Sequence, residues 1–155
     1  MLTEFSMPSQ NVGIPQERYL QLQQIAALDG VTIVDVISDF INDAVVAGRI
    51  PDTLPGWTVE HKPNGKVRLA TAVPEFDVTM SKTAAQALAG TIERLAQPGG
   101  KARAVLDLDA NVKIERTGPG IALTDVNNVA RSTVARNVAV DLARLLCGRA
   151  IKSID

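Results

Sequence analysis

Aromatic residues, histidine and cysteine are scarce in this chain, and their scarcity excludes several kinds of site. One tryptophan, one tyrosine and three phenylalanines occur in 155 residues, so aliphatic side chains and alanine must fill the core. The single cysteine, Cys147, cannot form an internal disulfide, which predicts a reducing, cytoplasmic setting. The single histidine, His61, gives no support to a metal site or to a histidine-based catalytic set. We therefore expect no metal, no cofactor and no enzymatic activity.

Long apolar runs and a secretory leader are also lacking. Stretches such as residues 31–36 are interrupted by polar residues within a few positions, so we expect no segment that spans a bilayer. The first ten residues show no basic start followed by an apolar run, which argues against a signal peptide. Apolar residues nevertheless make up 46% of the chain, which is enough for a folded core.

Basic residues are missing from the first 17 positions, and charge is divided unevenly along the chain. Residues 1–50 carry two basic and six acidic residues, for a net charge of −4. The remainder carries 14 basic and 11 acidic residues, for a net charge of +3. Asp35, Asp39 and Asp43 recur every fourth residue, and this row is predicted to face solvent or the basic residues of the second part.

Two helices are predicted within the first 50 residues. Pro15 suits the first turn of a helix, and Gly30 suits the left-handed residue that ends one. Between them, apolar residues recur at helical spacing. Thr32 is then expected to cap a second helix, with Asp35 placed as in a capping box. That helix carries a wide apolar face and ends near Gly48.

Residues 51–56 form the one clear linker, because they contain two prolines and a glycine. Residues 1–50 and 57–155 are therefore predicted as separate domains, and the whole chain as α+β. Within the second domain, residues 57–97 and 104–147 resemble each other as two ββα units. The match is loose, and chance similarity of two amphipathic segments explains it equally well. A final helix is predicted from about Val126 to Cys147.

The pattern of residues 9–48 resembles the ribbon-helix-helix family of the Arc and MetJ type. The resemblance rests on the run from Asn11 to Pro15, the apolar spacing of the first helix, Gly30, and the cap at Thr32. It implies an obligate homodimer, in which two strands over Ser9–Ile14 pair antiparallel and four helices pack beneath them. One copy of this size hides too little surface to offset its chain entropy, which agrees with an obligate dimer.

The resemblance also implies a role for particular residues. The base-reading positions are the outward ones of the strand, which lies in the major groove: Ser9, Asn11 and Gly13. The phosphate-binding positions are at the start of the second helix, where N–H groups are exposed: Gly30, Val31, Thr32 and Ile33. The dimer core takes the inward strand positions and the apolar helix faces: Val12, Ile14, Tyr19, Leu22, Ile25, Val36, Ile37, Phe40 and Ile41.

These features predict a DNA-binding regulator of transcription. The resemblance implies a repressor that acts on its own operon in a plasmid, phage or toxin–antitoxin setting. Its expected partners are a second copy of the chain or a higher oligomer, double-stranded DNA, and an effector or partner protein at the second domain. The alternative is a protein–protein adaptor or inhibitor that uses the first module only to dimerise. The acidic first 50 residues favour this alternative.

Other conspicuous side chains are interpreted as structural. His61 lies beside a predicted hairpin turn, and Cys147 ends an amphipathic helix as a small apolar group. Trp57 is expected to anchor the first strand of the second domain in the core. Asp107 and Asp109 have no third ligand nearby, so they are predicted as part of a turn rather than as a magnesium site.

Overall fold

A computed structural model describes residues 3–6, 10–71, 76–97, 105–107, 111–118, 120–127 and 130–151. The chain divides into two compact units. The larger unit contains Thr53–Ala150 together with strand β1 (Thr3–Ser6), and the smaller one contains Pro8–Asp52 together with Ile151. The N-terminal strand thus belongs with the larger unit rather than with the helices that follow it.

The smaller unit, here called the helical module, consists of two helices. They are α1 (Gln16–Asp29) and α2 (Ile33–Val46), which begin and end close to the predicted residues. Residues 10–15 carry no strand, in contrast to the strand predicted over Ser9–Ile14, and Ser9 itself lies outside the described residues. A strand needs a neighbour for its N–H and C=O groups, and among the described residues none pairs with residues 10–15.

The larger unit is built from two sheets and two helices, so the α+β class is confirmed. The first half contains β2 (Trp57–His61), β3 (Lys66–Thr71), β4 (Asp77–Ser81) and α3 (Lys82–Ala96). The second half contains β5 (Val105–Asp107), β6 (Val112–Thr117), β7 (Gly120–Asp125), β8 (Ala130–Ala135) and α4 (Arg136–Leu146). No helix among the described residues has the length and apolar character needed to cross a membrane.

Hydrogen bonding joins the strands into a three-stranded and a five-stranded sheet. The three-stranded sheet has the order β2-β3-β4 and is antiparallel throughout. The five-stranded sheet has the order β1-β8-β7-β6-β5, and only the pairing of β1 with β8 is parallel. Asp107 pairs with Val112 inside this sheet, so it lies in a strand rather than in the predicted turn. Asp109 lies outside the described residues.

The order strand, strand, strand, helix occurs twice in the larger unit. Equivalent buried positions of the two copies, such as Leu69 and Leu123 or Leu88 and Leu142, are separated by the same 54 residues. The predicted units of two strands and a helix therefore each have a third strand directly before the helix. In the second copy this strand, β8, occupies residues that were predicted as helix. Its residues alternate between more and less buried positions, which is the two-residue period of a strand.

One apolar core serves both copies. Helices α3 and α4 pack against each other, and alanines on their contacting faces are fully buried: Ala85, Ala89, Ala139 and Ala143. The inner faces of both sheets cover the helices with aliphatic side chains. Trp57 packs against this core, as predicted, with its ring 5.9 Å from that of Phe76 in an edge-to-face arrangement.

The outer face of the three-stranded sheet carries an ion-pair cluster. Arg68 donates two hydrogen bonds of 2.9 Å to the carboxylate of Asp77, and it lies 3.7 Å from Glu60. The hydrogen bond from Arg68 holds the pKa of Asp77 below its ordinary value. Because the cluster is partly exposed, its contribution to stability is small.

A pair of glycine substitutions tests the packing of the second copy. A Cβ atom at Gly120 would lie 2.9 Å from the backbone oxygen of Val134, so Gly120→Ala should destabilise the protein by about 1–3 kcal/mol. Gly90 lies within α3 with open space around it, so Gly90→Ala should stabilise by up to about 1 kcal/mol. Urea unfolding monitored by Trp57 fluorescence measures both, and equal effects would contradict the packing described.

Candidate dimerisation and DNA-binding module

Local sequence signals fix the ends of helix α1. Pro15 has φ −54° and ψ 141°, and its carbonyl accepts the N–H of Tyr19 at 3.0 Å. At the other end Gly30 is left-handed with φ +67°, and the N–H groups of Gly30 and Val31 both donate to the carbonyl of Ala26. Glycine adopts this conformation without a steric penalty, which is why the first helix stops there.

A complete capping box opens helix α2. The Thr32 hydroxyl accepts the N–H of Asp35 at 3.1 Å, and the Asp35 carboxylate accepts the N–H of Thr32 at 3.1 Å. These reciprocal bonds satisfy two groups that the first turn of a helix otherwise leaves without partners. The predicted pairing of Thr32 with Asp35 is confirmed.

The helical module does not bury an apolar core of its own. Of its described residues only Ala26 is buried, with 6% of its surface exposed. Thirteen of the fifteen large apolar side chains that are exposed in the described residues belong to this module. They are Val12, Ile14, Tyr19, Leu20, Ile25, Leu28, Val31, Val34, Ile37, Phe40, Ile41, Val46 and Ile50.

Every residue predicted for the dimer core is at least partly accessible in the single chain. Seven of the nine are exposed, ranging from 40% for Ile14 to 78% for Val12, and Leu22 and Val36 are half-buried. Burying one such side chain fully contributes roughly 1.5–3 kcal/mol, so leaving this face in water forgoes a large stabilisation. The face therefore requires a covering surface.

The predicted base-reading positions are accessible where the structure describes them. Asn11 and Gly13 are both exposed, and a Cβ at Gly13 would meet no atom within 4 Å. These two positions are therefore accessible to another molecule in the single chain.

The start of helix α2 is less open to phosphate than its sequence indicates. Three of the four predicted N–H donors, those of Gly30, Val31 and Thr32, are already bonded within the chain. The bond of Thr32 goes to the carboxylate of Asp35, which places a negative charge where a phosphate would approach. Ile33, the fourth predicted donor, is half-buried.

The acidic row of α2 borders the apolar face. At about 3.6 residues per turn, positions 39 and 43 point away from Ile37 and Ile41, but Asp43 lies one turn from Phe40 and two turns from Val36 on the same side of the helix. Asp39 and Asp43 are exposed, while Asp35 is half-buried by its capping role. A partner that covers Ile37 and Ile41 therefore need not contact these carboxylates, whereas one that also covers Val36 and Phe40 comes close to Asp43.

His61 and Cys147 lie in the larger unit, near the end of helix α4. The His61 Nε2 atom lies 2.8 Å from the carbonyl oxygen of Leu145, so the ring ties strand β2 to the end of that helix. Cys147 is half-buried and packs against the core. Within the described part of the chain, no group of three or more His, Cys, Asp or Glu residues is arranged to hold a metal ion.

Comparisons with protein-family models, with curated proteins and with solved structures return no match to this chain. The functional argument therefore rests on the residues and geometry described above.

Replacing the cap of α2 tests the local stability of the module. Thr32→Ala removes the hydroxyl that accepts the N–H of Asp35 and should cost about 0.5–2 kcal/mol. Thr32→Ser keeps a hydroxyl and should remain close to the original protein. Amide hydrogen exchange of residues 33–36 resolves the effect, and equal protection in both variants would show that the cap contributes nothing.

Proposed function

We propose that this protein is a homodimeric, DNA-binding regulator of transcription whose helical module forms a ribbon-helix-helix dimer. The observation that carries the proposal is the unburied apolar face of α1 and α2. A second copy supplies an identical apolar face, so the two faces cover each other. The same partner provides the antiparallel neighbour that residues 10–14 lack.

A second copy fits this face better than a charged partner. The exposed positions of the face are aliphatic or aromatic, including Ile37, Phe40 and Ile41. The exposed carboxylates Asp39 and Asp43 point away from Ile37 and Ile41, so two copies that meet at these two residues keep the charges at the rim of the interface. A symmetric dimer uses the same surface on both chains, which a self-matching apolar face permits.

The proposed dimer brings two copies of Asn11 onto one ribbon. An asparagine amide can form two hydrogen bonds with an adenine edge in the major groove, which makes Asn11 the main base-reading side chain. Gly13 supplies no side chain, so only a few bases are read. Most of the affinity must then come from phosphate contacts made by basic residues. These residues lie outside the first 17 positions, which contain none.

A charge placed in the apolar face tests the dimer. Ile37→Asp should convert the protein to a monomer in sedimentation velocity runs, because the carboxylate would be buried without a partner. Val140→Asp is the matched control, since Val140 is similarly exposed, at 47% against 41%, but lies on α4. A dimer that persists in Ile37→Asp would refute this interface.

The reading role of Asn11 is tested with a duplex selected by the protein from a random pool. Asn11→Ala should weaken binding to that duplex by about 1–3 kcal/mol while leaving unselected DNA unaffected. Fluorescence anisotropy at several salt concentrations measures both affinities. An equal loss of affinity for selected and unselected DNA would show that Asn11 does not read a base.

The capping carboxylate of α2 provides a second test of DNA binding. Asp35→Asn keeps an oxygen that can accept the N–H of Thr32 but removes the charge, so DNA affinity should rise about two- to fivefold. Asp43→Asn removes the same charge near the other end of the helix and should have a smaller effect. If the two variants gain equally, only the net charge matters and no phosphate lies near Thr32.

The second candidate function is a protein–protein adaptor that uses the module only to dimerise. It is favoured by the exposed Asp39 and Asp43 and by the net charge of −4 over residues 1–50. The same titrations separate the two functions. A protein that is a dimer in solution but binds no duplex DNA, even at low salt, is the adaptor.

A further inference from the structure

The two copies of the strand-strand-strand-helix unit differ in what lies at the edges of their sheets. In the second copy, β1 pairs with the outer edge of β8 and β5 pairs with the outer edge of β6. In the first copy the equivalent strands are β4 and β2, and the sheet ends at both of them. No strand in the described part of the chain lies beside β4.

Strands β4 and β8 are close counterparts. Val78 and Thr79 are equivalent to Ser132 and Thr133 by the same 54-residue separation, and each strand leads directly into its helix. Both strands alternate between buried and more accessible residues. Their outer edges therefore present backbone N–H and C=O groups in the same arrangement.

The pairing at the outer edge of β8 shows which kind of segment can add to such an edge. Strand β1 comes from the far end of the chain and pairs in parallel, with Glu4 beside Arg131 and Ser6 beside Thr133. The pairing is thus made by a segment distant in sequence, as a segment of another protein would be.

We propose that the outer edge of β4 binds an extended segment of a partner protein, added as a parallel strand along Phe76–Thr79. The position beside Asp77, which corresponds to Glu4 beside Arg131, favours a lysine or arginine in that segment. The Asp77 side chain is 42% exposed despite its pair with Arg68, and Glu60 adds a second carboxylate to this face. Backbone pairing supplies affinity, and the charge at one position supplies selectivity.

Disulfide trapping with a short peptide tests the position and register of this strand. The peptide has the sequence of residues 2–7 with Glu4→Lys and Ser6→Cys, and the full-length protein carries Cys147→Ala with Thr79→Cys. Because Thr79 corresponds to Thr133, which pairs with Ser6, the two thiols should meet at the distance that a disulfide needs. The control is Thr58→Cys, because the Thr58 side chain is exposed on β2.

Mass spectrometry measures the rate of mixed-disulfide formation, which should be faster at Thr79→Cys than at Thr58→Cys. A peptide that keeps Glu4 should react more slowly, by up to about fivefold, which corresponds to one cross-strand charge pair. A peptide with Thr3→Cys instead of Ser6→Cys should also react more slowly, because its thiol would lie beside Phe76. Circular dichroism checks that both protein variants are folded. Equal rates at the two protein positions would overturn the proposal, as would rates independent of where the peptide carries its cysteine.

Discussion

The apolar surface of the helical module is exposed in the single chain, and the proposed dimer depends on covering it. Its two helices have well-formed ends but enclose no core, with Ala26 the one buried residue described there. Hydrogen-bonded caps fix where a helix begins and ends, but they contribute too little to hold two helices together in water. Packing against another surface must supply the rest, and in the proposed dimer that surface is a second copy.

The start of α2 shows how a stabilising feature can oppose a binding role. The capping box uses the N–H groups of Thr32 and Asp35, and it places the Asp35 carboxylate at the helix start. A carboxylate at this end strengthens the helix through its dipole. In the proposed DNA complex the same charge would repel a phosphate, so stability of the module and DNA affinity would oppose each other at this residue.

The larger unit depends on a different arrangement, in which two similar halves share one core. Leu88 and Leu142 occupy equivalent buried places on α3 and α4, and each helix also packs on sheet strands. Each half contributes one helix, so neither helix has another helix to pack against unless both halves are present. Within the described residues the halves differ at their sheet edges, since β1 pairs with β8 and no strand pairs with the outer edge of β4, the edge proposed to bind a partner segment.

The sequence alone determined the features that depend on a few neighbouring residues. Pro15, Gly30 and the pair Thr32–Asp35 set helix ends through local backbone preferences and short hydrogen bonds, so their spacing located α1 and α2. Only the tertiary structure decided where strands form. Strand β1 exists because β8, more than 120 residues away, pairs with it, whereas residues 10–14 have no strand neighbour in the described part of the chain. Strand β8 was predicted as helix because Val134 continues the helical spacing of Val138 and Leu142, and burial in a shared sheet decided for the strand.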